Sequence, residues 1–241
     1  MTDAHIHIGE FANGLCFTAE YIAEWKNQNT DIDKFLFMQT SRCGNYDSAY
    51  DTFLKDSDKL KKLVGNSAIQ GLWLTLDAFK NYKKYFRKEF SALKFHPCVE
   101  NNPTDFDYEY VIKISAEVNR PLIIHTSYDD YCSCSRISKI CEKCPDTTVI
   151  LAHGRPFDDC IDALKIPNIY ADTAYMPKSK ALKIITAGYG DKLLFGSDFP
   201  IDRHFYPNEN PFVRYKVFKK NMQEILSPNA LYNNFNRIFK V

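Results

Sequence analysis

The sequence is short of several things, and each absence removes a class of function. No stretch of its 241 residues approaches the roughly 20 apolar residues of a membrane span. No basic segment followed by an apolar core opens the chain, which predicts a protein without a signal peptide, kept in the cytoplasm. Net charge is nearly absent at +1, so no strong field favours nucleic acid or an anionic membrane. The one basic stretch, Lys80 to Lys88 with Tyr82, Tyr85 and Phe86, reads as an amphipathic helix with a solvated face. No Gly-rich phosphate loop follows the first strand, which argues against a doubly wound nucleotide-binding sheet. No repeat, low-complexity segment or linker divides the chain, so one domain over 1–241 is expected.

What remains is ordinary material for a globular protein: 45% hydrophobic and 25% charged residues, enough to bury a sizeable core. The eight cysteines are expected to stay thiols in a reducing compartment. Cys132, Cys134, Cys141 and Cys144 have spacing like that of a four-thiolate zinc site. Against it, Ile137, Ile140, Cys141 and Cys144 follow helical spacing, which turns the last two cysteines toward a core.

Strand and helix signals alternate. Strands are expected near 2–8, 34–39, 68–76, 91–95, 121–125, 148–153, 168–172 and 192–195, each short and rich in Ile, Leu, Val and Phe. Helices are expected after Thr18, up to Val64 before Gly65, after Asp77, and over 107–119, 135–143 and 177–187. The tail from Pro211 reads as helical and ends in Phe235, Ile238 and Phe239, a set able to seal a barrel. Eight such β/α units predict a (β/α)₈ TIM barrel, with an open sheet as the alternative.

Polar residues gather at the predicted strand ends. His5 and His7 alternate on one face of the first strand with Asp3, opposite Ala4, Ile6 and Ile8. Lys94 and His96 end the fourth strand, His125 the fifth, His153 the sixth and Asp172 the seventh, and Asp198 follows the eighth. A parallel barrel brings its C-terminal strand ends to one face, where barrel active sites lie. Imidazoles with a carboxylate suit Zn²⁺ and related ions and leave room for a water molecule made acidic near neutral pH.

The run Asp3-x-His5-x-His7, Lys94-Phe95-His96-Pro97, Ile123-Ile124-His125-Thr126, Leu151-Ala152-His153-Gly154 and Phe195-Gly196-Ser197-Asp198-Phe199-Pro200 resembles the amidohydrolase superfamily. It is most similar to the compact branch called amidohydrolase-2-like. The resemblance implies His5, His7, His125 and Asp198 as metal ligands, with Asp198 also acting as general acid/base. It implies a catalytic His153 and an unmodified Lys94 in the substrate site rather than a carbamylated bridge. One Zn²⁺ is the expected ion, with Mn²⁺, Fe²⁺ or Ni²⁺ as alternatives and a second ion left open. Asp3 is expected to orient or support the site, and Asp172 either supports it or is a solvated loop acid. Arg155 departs from the glycine common at its position; it reads as an anchor for an anionic substrate or as a surface arginine. Arg42, Arg203 and His204 are weaker anchors of the same kind.

The expected activity is metal-dependent hydrolysis of a small-molecule amide, ester or lactone through activated water. A non-oxidative decarboxylase of a small aromatic acid is the first alternative. A non-catalytic metal- or ligand-binding barrel is the alternative of another class. A related nuclease is disfavoured by Lys94, where those enzymes carry glutamate, and by the near-zero charge. A small-molecule substrate is the expected partner, and a homodimer is left open.

Overall fold

The computed structural model describes residues 1–40, 45–100 and 102–241. Arg42 and Cys43 lie outside them. Among the described residues, nine strands form one curled sheet in the order β2-β1-β3-β4-β5-β6-β7-β8-β9. They are β1 (Thr2–Glu10), β2 (Cys16–Phe17), β3 (Lys34–Gln39), β4 (Ala68–Trp73), β5 (Ala92–Phe95), β6 (Leu122–His125), β7 (Val149–Ala152), β8 (Ile169–Asp172) and β9 (Leu193–Leu194). Only the short β2 runs antiparallel; from β1 through β9 the remaining pairings are parallel. Beyond β9 the chain runs back beside β1. Ala4 N–H donates to Phe195 O at 2.8 Å, Asp198 N–H to His5 O at 2.8 Å, and His7 N–H to Phe199 O at 2.8 Å.

Helices fill the crossovers, and their ends follow local chemistry. Thr18 accepts from Tyr21 N–H to start Ala19–Gln28. Gly65, at φ 64°, stops the long helix Tyr46–Val64. Thr104 and Asp107 form a capping box for Asp105–Glu117. The basic helix after β4 departs from expectation. Thr75 caps it rather than Asp77, and it breaks at Asn81 into Leu76–Lys80 and Tyr82–Tyr85. A hydroxyl one residue before the helix is better placed for the first free N–H groups than a carboxylate inside it. The helix Phe157–Ala163 between β7 and β8 was not legible, because its first turn is Phe-Asp-Asp-Cys with no side-chain cap.

Two apolar layers alternate along the strands. Leu36, Met38, Ile123, Ile150 and Leu194 point to the inside of the curl, where Phe235, Ile238 and Phe239 plug it as expected. Phe35, Phe37, Ile124, Leu151 and Phe195 point outward to the helices. Extending the inward rows by strand alternation carries Trp73, Lys94, His96, His125 and Asp172 to the same interior, at its C-terminal end.

Strand β1 breaks the alternation. Its pairing with β3 slips between Asp3 and Ile6, so one extra residue is accommodated there. Ala4 therefore joins the inner layer while Ile6 and Ile8 join the outer one. Asp3, expected on the face of His5 and His7, instead reaches the helix layer, where its Oδ2 accepts from Tyr215 OH at 3.1 Å.

Candidate metal centre and its cavity

His5 and His7 emerge from β1 after this bulge, and Asp198 from the turn that follows β9. His5 Nε2 and His7 Nε2 are 3.1 Å apart. Asp198 Oδ1 completes a triangle, 3.2 Å from His5 Nε2 and 3.0 Å from His7 Nε2. All three side chains are buried. Four-coordinate Zn²⁺ with N and O bonds of about 2.0–2.1 Å holds its ligand atoms about 3.3–3.4 Å apart, so a divalent ion fits this triangle after small adjustments. Asp172 supports the fit. Its Oδ2 lies 2.8 Å from His5 Nδ1, which places the proton there and leaves the His5 Nε2 lone pair turned into the triangle.

Asp198 is placed by its backbone. Its φ is 62°, a left-handed conformation unusual for a residue with a side chain. Asp3 holds the turn: its Oδ1 accepts from Ser197 N–H at 3.1 Å and from His5 N–H at 3.1 Å. Gly196 is required by close approach, since a Cβ there would meet Asp172 Cβ at 3.0 Å and His5 Cβ at 3.1 Å. Burial lifts the Asp3 carboxyl to about 7 against these bonds.

His153 also has a left-handed φ, 72°. Ala152 already faces inward, so a regular strand would send His153 toward the helices. The turn of the backbone brings the imidazole back into the cavity. Strained conformations of this kind cost on the order of 1–3 kcal/mol each and cluster at functional sites. His153 N–H donates to Asp172 Oδ1 at 2.9 Å. Its Nδ1 is 3.1 Å from Ala174 O, a group that only accepts, so Nδ1 carries the proton and Nε2 is free to accept. That Nε2 lies 3.1 Å from His125 Nδ1 and 4.0 Å from Asp198 Oδ2. Of the four residues expected as ligands, three converge, and His125 stands one imidazole away, bonded to His153 rather than joined to the triangle.

Protonation states suit metal binding. Burial raises Asp198, but the adjacent His5 and His7 and the hydrogen bond to His7 outweigh it and hold the carboxyl well below the usual range. Burial likewise raises Asp172, yet His5, His153 and Lys94 bring it down to about 2. Burial pushes His7 and His125 down and takes His153 to about 3. Buried Lys94 falls to about 8 despite Asp172 and Asp198, with its Nζ 3.3 Å from His5 Nε2. A neutral His7 beside an ionised Asp198 is the pairing that ligates a divalent ion.

The triangle lies at the floor of a cavity of about 470 Å³, which Lys94 and Arg155 also line. Arg155 is tied by its N–H to Thr126 Oγ1 at 2.8 Å. Trp73, His96 and His125 stack face to face as one column along the cavity, with ring centroids 5.1 and 3.8 Å apart and interplanar angles of 10° and 13°. Gln39 clamps the backbone of Trp73, donating to its O at 2.9 Å and accepting from its N–H at 3.1 Å. His204, Phe205 and Tyr206 border the cavity, whereas Arg203 lies over the Tyr21 ring, away from it. Trp73 had a usable signal, as the last inward residue of β4. Phe205 and Tyr206 had none, because a loop after the last strand has no periodicity to read. The four cysteines with zinc-like spacing do not meet among the described residues. Cys134 and Cys141 are packed on the core face of the helix Cys134–Cys141, while Cys132 turns to Cys98.

No protein-family model and no curated protein sequence matches this chain. Its fold is shared by several solved structures. A probable 2-pyrone-4,6-dicarboxylic acid hydrolase of Acinetobacter baumannii, with citric acid bound, aligns at 13% identity and TM-score 0.69, over 100% of this chain and 99% of that one. A beta-aspartyl dipeptidase of Fervidobacterium islandicum aligns at 11% identity and TM-score 0.68, over 100% and 74%. A 4-oxalomesaconate hydratase of Rhodopseudomonas palustris aligns at 16% identity and TM-score 0.63, over 89% and 78%. No helix among the described residues is long and apolar enough to cross a membrane.

Proposed function

We propose that this chain is a metal-dependent hydrolase of a small, anionic amide, ester or lactone, built as one closed (β/α)₈ barrel over 1–241. The observation that carries the reading is the buried triangle of His5, His7 and Asp198 at the floor of the cavity. The three hydrogen bonds between β1 and the segment after β9 support closure. The amidohydrolase motifs and the fold shared with two hydrolases support the activity.

His5, His7 and Asp198 would hold one divalent ion, Zn²⁺ being the natural choice for this donor set. Such an ion makes water acidic near neutral pH and polarises a carbonyl. Asp198 Oδ2, outside the triangle and ionised, accepts the proton of the attacking water and returns it to the leaving group. His153, held in its tautomer by Ala174, accepts from His125 through Nε2 and so positions the two imidazoles beside Asp198. Lys94 donates to the oxygen on which negative charge develops. Arg155 at the cavity wall anchors a carboxylate of the substrate.

The Trp73–His96–His125 stack gives the cavity an aromatic lining, which keeps decarboxylation of an aromatic acid as the second reading. One experiment separates them. Metal-stripped protein, alone and reloaded with Zn²⁺ or Mn²⁺, is assayed on a panel of carboxylate-bearing lactones, esters and amides and on aromatic acids. Metal-dependent acid release is expected. Metal-dependent CO₂ release would select the second reading, and turnover unaffected by stripping would overturn both.

A further inference from the structure

A second group of side chains able to hold a metal touches the cavity through Cys98. Cys98, in the turn after β5, and Cys132, in the loop after β6, bring their Sγ atoms to 3.3 Å. The ligand atoms of Cys98, Cys132 and Asp129 all lie within 4.8 Å of one another. Cys132 is buried, while Cys98 is half-buried and lines the cavity. The loop that carries Asp129 and Cys132 is already organised. Ser127 Oγ accepts from Asp129 N–H at 3.0 Å, lies 2.8 Å from Asp129 Oδ2, and is 3.0 Å from Cys132 Sγ. Cys132 N–H donates to Asp129 O at 3.0 Å, and Ser127 N–H to Cys132 O at 3.1 Å.

We propose that Cys98, Cys132 and Asp129 form a separate site for a thiophilic divalent ion such as Zn²⁺. Two thiolates are the donors that set this site apart from the imidazole–carboxylate triangle, because soft sulfur ligands select Zn²⁺ over harder ions. Distances favour an ion over a disulfide. With Zn–S bonds of about 2.3 Å, tetrahedral thiolates sit about 3.8 Å apart. The observed 3.3 Å therefore has to open by about 0.5 Å. A disulfide would have to close the same gap by about 1.3 Å. A disulfide also gives Asp129 no role, whereas an ion uses all three groups and leaves a fourth position for water or a substrate atom at the cavity edge. The ion would pin the loop after β6 to the turn after β5. That turn begins at His96, the ring on which His125 stacks, so the site would stabilise the wall of the catalytic cavity.

The test loads metal-stripped, fully reduced, full-length protein with Co²⁺ and follows absorbance with metal content. A thiolate-to-cobalt charge-transfer band in the near ultraviolet is expected. It should be lost, with one metal equivalent, in both Cys98→Ser and Cys132→Ser. In Asp129→Asn the band should persist with about tenfold weaker Co²⁺ binding. In His5→Ala the band should remain while the other equivalent is lost, so failure at one site is read apart from failure at the other. Absence of the band in the wild type, or its survival in Cys98→Ser with an unchanged circular dichroism spectrum, would overturn the proposal. So would a protein purified under air that is 2 Da lighter, with Cys98 and Cys132 joined and no thiolate-bound metal.

Discussion

Replacing Asp172 by Asn tests the metal centre without touching a proposed ligand. Asp172 Oδ1 accepts two backbone N–H groups, from His153 at 2.9 Å and from Ala174 at 3.0 Å. Its Oδ2 faces His5 Nδ1 at 2.8 Å. Asn has one carbonyl oxygen, and the two N–H donors hold it. The amide NH₂ then faces His5 Nδ1, which must accept. The His5 proton moves to Nε2, and the lone pair directed into the triangle is lost. Loss of a partner that orients a ligating histidine costs about 10–100-fold in metal affinity, roughly 1.4–2.7 kcal/mol. A tautomer switch belongs at the upper end of that range. Zn²⁺ affinity measured by competition with a chromophoric chelator should fall accordingly, and activity at limiting metal with it. Circular dichroism should stay unchanged, since the side chain keeps its shape. Affinity within twofold of wild type in a folded variant would refute the assignment of Asp172 as the group that sets the His5 tautomer.

Three further outcomes follow from the geometry. His125→Ala should keep the equivalent of metal bound by the triangle while losing most activity, because His125 touches His153 and not the triangle; loss of that metal in elemental analysis would restore His125 as a ligand. Arg155→Met should raise KM for carboxylate-bearing substrates by about 10–100-fold, the worth of one or two charge-assisted hydrogen bonds, and leave kcat and neutral substrates nearly unchanged in steady-state kinetics. Asp202 is the pH case: burial raises its carboxyl from an ordinary 3.8 to about 6, against Arg214 at 3.3 Å. An acid raised in the folded state contributes fully below its unfolded pKa and loses that contribution as pH climbs through about 6. At about 1.4 kcal/mol per pH unit the loss is at most about 3 kcal/mol. Asp202→Asn should therefore be relatively more stable at pH 8 than at pH 4 in urea titrations of metal-free protein, and an equal difference at both pH values would contradict the argument.

Much of this protein is local, and what is local was legible in its residues. Short runs such as Lys34–Gln39 and Leu122–His125 are apolar on both faces, because both faces of a parallel strand are buried. Thr18, Gly65 and Pro211 mark helix ends through chemistry within one turn of backbone. The spacing of His5 and His7 also needs only one strand, and the sealing role of Phe235, Ile238 and Phe239 follows from their helical period. Tertiary structure decided everything that depends on two distant segments meeting. The bulge in β1 reflects pairing with β3, and it alone sends Asp3 to Tyr215 rather than to the histidines. The left-handed turns at His153 and Asp198 are held by Asp172 and Asp3, carboxylates remote in sequence. The meeting of Cys98 with Cys132, and the separation of Cys132 from Cys141 and Cys144, depend on how the loops after β5 and β6 lie side by side. Residue type and spacing carry the period of a strand and the donor atoms of a metal site. Which donors share one point in space is decided by strand register and backbone sign, and those are set by contacts between segments that no single stretch of sequence contains.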